Sequence, residues 1–149
     1  MSKFILLDTE TTGASELDRI IQLGFLVLSG KQVDVYNDFC LSEIPISVEA
    51  MEVHGITPEQ IENKLKCTET VAYKTLEELN THDNVLIIHN APFDLKMLQK
   101  EGFELKMRLI DTLRCAKHLF SDHEAHRLQY FRYALELYKQ ENSEANALG

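Results

Sequence analysis

Two short apolar runs, residues 4–7 and 85–88, each end in a polar stretch rich in acids and turn formers. Asp8-Thr9-Glu10-Thr11-Thr12-Gly13 follows the first, and His89-Asn90-Ala91-Pro92-Phe93-Asp94 follows the second. Apolar runs of this length, bounded by turn signals, read as buried strands. A strand apolar on both faces belongs inside a sheet covered by helices. The remaining sequence fits that frame. Two β-rich stretches, about residues 20–28 and 32–41, flank Ser29-Gly30-Lys31 and predict an antiparallel hairpin. Thr57-Pro58-Glu59-Gln60 offers an N-cap threonine, a first-turn proline and a glutamine at N3, so a helix should start there. Val71, Ala72, Leu76 and Leu79 recur at helical spacing and predict a helix over about 69–80, with Glu77 and Glu78 facing water. The run at 85–88 should deliver the chain into a helix near Pro92, with Asn90 as N-cap and Asp94 in the first turn. Leu109 and Ile110 end a further short strand. Helices then cover about 111–120 and 126–139, the second marked by Leu128, Phe131, Leu135 and Tyr138.

This β-β-β-α-β-α-β-α order puts antiparallel strands first and parallel crossovers later. It predicts an α/β protein with a mixed five-stranded sheet flanked by helices. Ribonuclease H-like architecture fits the order, as other α/β folds do, so the fold alone assigns no chemistry.

At 149 residues the chain is expected to form a single domain spanning 1–149. No apolar run approaches the roughly 18 to 20 residues that span a bilayer, so no membrane is expected as a partner. The N-terminal Met-Ser-Lys leads straight into a strand rather than a secretory signal, which makes a cytoplasmic location the default expectation. Cys40, Cys67 and Cys115 are widely spaced, which argues against a disulfide framework or a structural zinc site; they are expected to be core or partly buried thiols. The net charge of −9 counts against binding a long duplex, whose affinity comes mainly from Lys and Arg. It does not count against gripping a few terminal nucleotides, since bound divalent cations supply positive charge locally and need carboxylates to hold them.

Side chains on a strand alternate faces, so Asp8 and Glu10 project to the same side, within reach of one cation. Taken alone, the two acids are equally well read as polar residues at a strand end, and Asp94 as a dipole-favoured acid in a first helical turn. The ends of adjacent strands converge in α/β sheets, however, so Asp94 could join Asp8 and Glu10. Three acids in one place repel unless cations neutralise them.

Together, in this order and separation, the two motifs resemble the DEDDh 3′ to 5′ exonucleases, a family that includes the proofreading epsilon subunit of bacterial DNA polymerase III, ribonuclease T and oligoribonuclease. The resemblance covers nearly the whole chain. Residues 4–13 are similar to the family's first motif and residues 89–94 to its second. Between them, Glu49-Ala50-Met51-Glu52-Val53-His54-Gly55-Ile56-Thr57 is similar to the family segment beside the terminal nucleotide. The resemblance implies catalysis by Asp8, Glu10 and Asp94 through two divalent cations, Mg²⁺ or Mn²⁺. Asp8 would bridge the two ions, with Glu10 beside the first and Asp94 beside the second. Two-metal hydrolysis places one cation at the attacking water and one at the leaving oxygen, about 3.5 to 4 Å apart. Glu49 and His54 would contact the 3′ nucleotide, Val53 would pack on it, and Thr11, Asn90 and Phe93 would help to seat it. The implied partner is the 3′ end of a nucleic acid, single-stranded DNA ahead of RNA, with a DNA polymerase as a further partner. Ile110-Asp111-Thr112-Leu113 also fits a family pattern, in which the aspartate is structural and caps the next helix.

The family completes its site with His-x-x-x-x-Asp on a C-terminal helix. Ala145-Asn146-Ala147-Leu148-Gly149 resembles that run with alanine in the histidine place. The expectation is a domain cut short before its last catalytic helix, or degenerate there, and impaired for want of the third motif. Losing a general base costs on the order of 10² to 10⁴ in rate. The alternative from a different class is a non-catalytic nucleic-acid-binding or polymerase-associated module that kept the fold. A third reading is an α/β protein with an unrelated role.

Overall fold

The structure, a computed structural model, describes residues 1–141. Five strands form one sheet in the order β3-β2-β1-β4-β5. β1 (Phe4–Thr11), β2 (Ile20–Ser29) and β3 (Gln32–Phe39) pair antiparallel. β4 (Val85–Ile88) and β5 (Arg108–Asp111) add in parallel on the other side of β1. The mixed five-stranded sheet is the one predicted, and β1 sits at its centre.

The alternation along β1 decides which side becomes the core. Ile5, Leu7, Thr9 and Thr11 are buried, while Phe4, Leu6, Asp8 and Glu10 point to the opposite face. The buried face is covered by α3 (Val71–Leu79) and α4 (Ala91–Lys100), whose Ala72, Leu76, Met97 and Leu98 close the main core. A register shift between Glu10 and Thr11 lets β2 bury two consecutive residues, Ile20 and Ile21, in different cores. Ile21 joins Ile46, Ile56 and Ile61 beneath α1 (Val48–His54) and α2 (Pro58–Ile61). The opposite face leaves Leu26, Val33, Val35 and Ile110 partly or largely exposed. α5 (Thr112–Leu119) and α6 (Leu128–Ala134) follow β5.

Several boundaries differ from expectation. The predicted helix start at Thr57 is present, and Gln60 Oε1 accepts from the Thr57 N–H at 2.8 Å, but the helix stops after one turn. The helix expected from 69 begins at Val71, because a 3₁₀ turn at Cys67–Glu69 precedes its N-cap Thr70. The helix expected over 126–139 ends at Ala134. Glu136 adopts φ 57°, the Leu137 N–H bonds to the Arg132 carbonyl at 2.9 Å and the Glu136 N–H to the Tyr133 carbonyl at 3.1 Å. This is a Schellman stop, built without the glycine that would have signalled it. Of the marker residues Leu128, Phe131 and Leu135, only Phe131 is buried. Cys115 is exposed on α5, against the expectation of a core or partly buried thiol; Cys40 and Cys67 are buried.

Candidate active site

Asp8 and Glu10 leave the open face of β1 side by side. They line a cavity of about 510 Å³ together with His89, Thr112 and Leu128. β1 and β4 run parallel with Leu7 opposite Ile88, so the next residue on each strand, Asp8 and His89, are lateral neighbours. Loss of hydrating water raises the Asp8 carboxyl, opposed by the Thr9 backbone N–H and the charge of His89. Glu10 is raised in the same way, and the charge of Asp8 adds to it, with His54 opposing.

Asp94 occupies the first turn of α4 and is only 3% exposed. The Thr9 hydroxyl, on the core face of β1, donates to its Oδ1. Burial pushes the Asp94 carboxyl from its ordinary 3.8 up to about 7; the Thr9 hydroxyl opposes this, and the charges of Asp8 and Glu10 add to it. The charge of Asp8 thus reaches both Glu10 and Asp94. None of the four ion pairs among the described residues involves any of them. As the side chains stand, no group of three or more metal-ligating residues among the described ones is assembled to hold an ion. The expected convergence is thus an adjacent pair plus a third acid turned onto Thr9.

The loop after β1 is held by its own polar residues. Asp18 accepts from the Thr12 hydroxyl and the Ser15 N–H, both at 2.7 Å. A Cβ on Gly13 would lie 2.7 Å from the Asp18 carboxylate, so glycine is what lets Asp18 close the loop. His54, at the end of α1, accepts from the Ile56 N–H through Nδ1 at 3.0 Å. Its Nε2 must then carry the proton and donates to the Thr11 carbonyl, also at 3.0 Å. Both ring nitrogens are used internally, so His54 ties α1 to the end of β1 and offers only ring carbons to a ligand. Glu49 and Val53 are exposed on the same helix, Val53 by 83%. Phe93 is half-buried against the core, and Asn90 is exposed.

Asn90 is not a conventional N-cap. It sits in the left-handed region at φ 68° with no side-chain cap bond. The Asp111 carboxylate instead accepts from the Asn90 N–H at 3.0 Å, the Ala91 N–H at 3.1 Å and, within its own helix, the Leu113 N–H at 2.9 Å. One side chain thus caps α4 and α5 together.

These placements hold the two motifs of residues 4–13 and 89–94 at the ends of adjacent strands, and over residues 5–144 the sequence matches the exonuclease family. The chain belongs to the exonuclease family. This exonuclease domain is 37% identical over 123 residues to DNA polymerase III PolC-type of Thermotoga maritima, covering 78% of this chain and 9% of that protein. It is 36% identical over 132 residues to DNA polymerase III subunit epsilon of Rickettsia prowazekii, covering 78% of this chain and 55% of that one. The domain therefore spans about half of the epsilon subunit and under a tenth of the PolC polymerase. Among solved structures, its fold resembles exonuclease X in complex with 5′ overhanging duplex DNA, with a TM-score of 0.71 at 19% identity, over 89% of this chain and 73% of that one. Product-bound exonuclease I gives a TM-score of 0.74 at 17% identity, over 90% and 38% of the two chains. The resemblance to DEDDh exonucleases read from the sequence holds.

Sequence reasoning passed over two residues that contact or line the candidate site. Thr9 was readable from strand alternation, which turns it away from Asp8 and toward α4. His89 was readable from its place directly after β4. Its Nδ1 lies 2.9 Å from Thr112 Oγ1, while its Nε2 is buried without a partner among the described residues. The third-motif stretch Ala145 to Gly149 lies outside the described residues.

Proposed function

We propose that this domain hydrolyses the 3′-terminal phosphodiester bonds of single-stranded nucleic acid, DNA in the first instance, with two divalent cations held by Asp8, Glu10 and Asp94. The observation that carries this reading is electrostatic. Burial raises the proton affinity of all three acids, the charge of Asp8 adds to this at Glu10 and Asp94, and none of the three has an ion-pair partner among the described residues. The donor set fits a hard cation, since it consists of carboxylate oxygens, and Mg²⁺ or Mn²⁺ would relieve the repulsion. To join Asp8 and Glu10, Asp94 would exchange the Thr9 hydroxyl for the ion. Bound there, the cations would supply positive charge to the attacking water and to the departing 3′ oxygen.

The chain's own residues would do the rest. Asp111 fixes the α4 N-terminus and with it the direction of Asp94. His54 holds the Thr11 carbonyl, and Val53 offers an exposed apolar surface on which a terminal base could pack. Glu49, Asn90 and Phe93 stand ready to seat the sugar and base around it. A DNA polymerase is the partner that the names of the relatives suggest.

The test is a 5′-labelled single strand incubated with the protein in Mn²⁺. Stepwise shortening from the 3′ end, abolished by Asp8→Asn, is expected. No shortening by either the parent or an Ala145→His variant would refute the hydrolytic reading. Alanine in the place of the family's third-motif histidine favours a second reading, a strand-binding module with little turnover. Binding without shortening would support that one.

A further inference from the structure

His89 stands in a row of residues that crosses the end of the sheet on its open face. Asp8 pairs with Gly24 of β2. Leu7 lies opposite Ile88, and Ile88 opposite Asp111, so the residues that follow on the last two strands, His89 and Thr112, extend the row beyond Asp8. Glycine has no side chain, and the lateral side chain beside Asp8 is therefore that of His89. All four residues line the acidic cavity. The charge of His89 bears on Asp8, whereas the basic group that opposes the shift of Glu10 is His54.

The His89 ring is held at one nitrogen and unpaired at the other. Nδ1 lies 2.9 Å from Thr112 Oγ1, and Nε2 is buried without a partner among the described residues. A buried polar atom left in that condition calls for a reason. The Thr112 hydroxyl has a single proton and two acceptors in reach, Nδ1 at 2.9 Å and the Ile88 carbonyl at 3.4 Å. The shorter contact takes it, so Nδ1 accepts and the neutral ring carries its proton on Nε2. A charged ring carries a proton there as well, which makes Nε2 a donor in either state. The two nitrogens of an imidazole point to opposite sides of the ring, so turning Nδ1 toward Thr112 turns Nε2 toward the side of Asp8. The Asp8 carboxylate has room for a donor, since among the described residues it accepts from the Thr9 backbone N–H and from no side chain.

We infer that His89 is a positioning residue for Asp8: its Nε2–H donates to the Asp8 carboxylate and fixes the orientation in which that carboxylate holds a divalent cation. Thr112 fixes the ring in turn. This role rests on the proposed cation reading and adds the side chain that orients the shared ligand. A carboxylate that bridges two ions must present both oxygens in set directions. A donor anchored beside it removes the freedom to turn away, as partners of metal-binding side chains commonly do.

The test has two arms. In the first, long-range ¹H–¹⁵N spectra of the metal-free, ¹⁵N-labelled chain read which nitrogen of His89 carries the proton, with His89→Gln assigning the signals by their loss. A proton on Nε2 is expected, and a neutral ring protonated on Nδ1 alone would overturn the inference. In the second arm, Mn²⁺ is titrated calorimetrically into the parent, His89→Asn, His89→Gln and Asp8→Asn. An asparagine amide reaches only as far as Nδ1, whereas a glutamine amide reaches about as far as Nε2 and replaces the donor. His89→Asn should weaken Mn²⁺ binding by about tenfold to a hundredfold, and His89→Gln should recover most of that loss. A histidine that only fills space would give equal losses in the two variants, and that result would overturn the inference. Binding lost in Asp8→Asn but unchanged in His89→Asn would keep the cation site and reject the role of His89. No binding by the parent would reject the cation reading and this role with it.

Discussion

At the scale of single residues, Asp94 is the carboxyl that burial raises most strongly among the described residues. Its folded-state carboxyl, pushed up to about 7, lies above the value near 4 expected in the unfolded chain. A carboxyl shifted this way holds its proton more tightly when folded. Its contribution to stability is therefore complete below about pH 4 and is lost as pH rises toward about 7. In metal-free protein, urea midpoints should fall across that window. Asp94→Asn, which cannot ionise, should flatten the profile and be more stable than the parent at about pH 7.5, by on the order of 1 to 3 kcal/mol. A less stable variant with the parent's pH slope would contradict the assignment. Ala145 offers a second residue-scale prediction. If the third-motif resemblance is functional, Ala145→His should raise the rate of 3′-end shortening in Mn²⁺ by about tenfold or more, as expected when a base is restored. An unchanged rate would show that the position carries no such role here.

At the scale of elements, the joint between β4, α4, β5 and α5 decides whether the site is held in place. Asp111 stands at that joint. Partial burial works against its charge, but backbone N–H groups at Asn90, Ala91, Leu113 and Arg114 win and hold its carboxyl below the usual range. A depressed carboxylate stabilises above its unfolded value near 4, and the contribution is lost as pH falls below that. Asp111→Ala removes the side-chain cap from two helix starts and should cost about 0.5 to 2 kcal/mol at neutral pH. Denaturation should show that difference shrinking below about pH 3. The sign is opposite to that for Asp94, so the two residues can be separated in one pH series.

The joint also shows what was legible in the sequence. β1 and β4 were readable because apolar runs ended in turn formers, and the shared face of Asp8 and Glu10 follows from strand alternation alone. Asp111 was readable as a cap for α5. Its hold on α4 was not, since it depends on β4 and β5 lying side by side, a contact between residues about twenty positions apart. The end of α6 escaped because Glu136 takes a left-handed turn that periodicity assigns to glycine or asparagine. The orientation of Asp94 escaped because its partner Thr9 lies 85 residues away.

At the scale of the whole molecule, the sheet gathers acids in one place. β1 delivers Asp8 and Glu10, and the parallel β4 beside it delivers the chain into α4 with Asp94 in its first turn, where a cation can be held. The central claim is that Asp8, Glu10 and Asp94 share a divalent cation, and isothermal titration of Mn²⁺ into the full chain at neutral pH tests it most directly. The account predicts a saturating isotherm for the parent that is lost or strongly weakened in both Asp8→Asn and Asp94→Asn. No heat of binding in the parent, or equal binding in all three proteins, would contradict it.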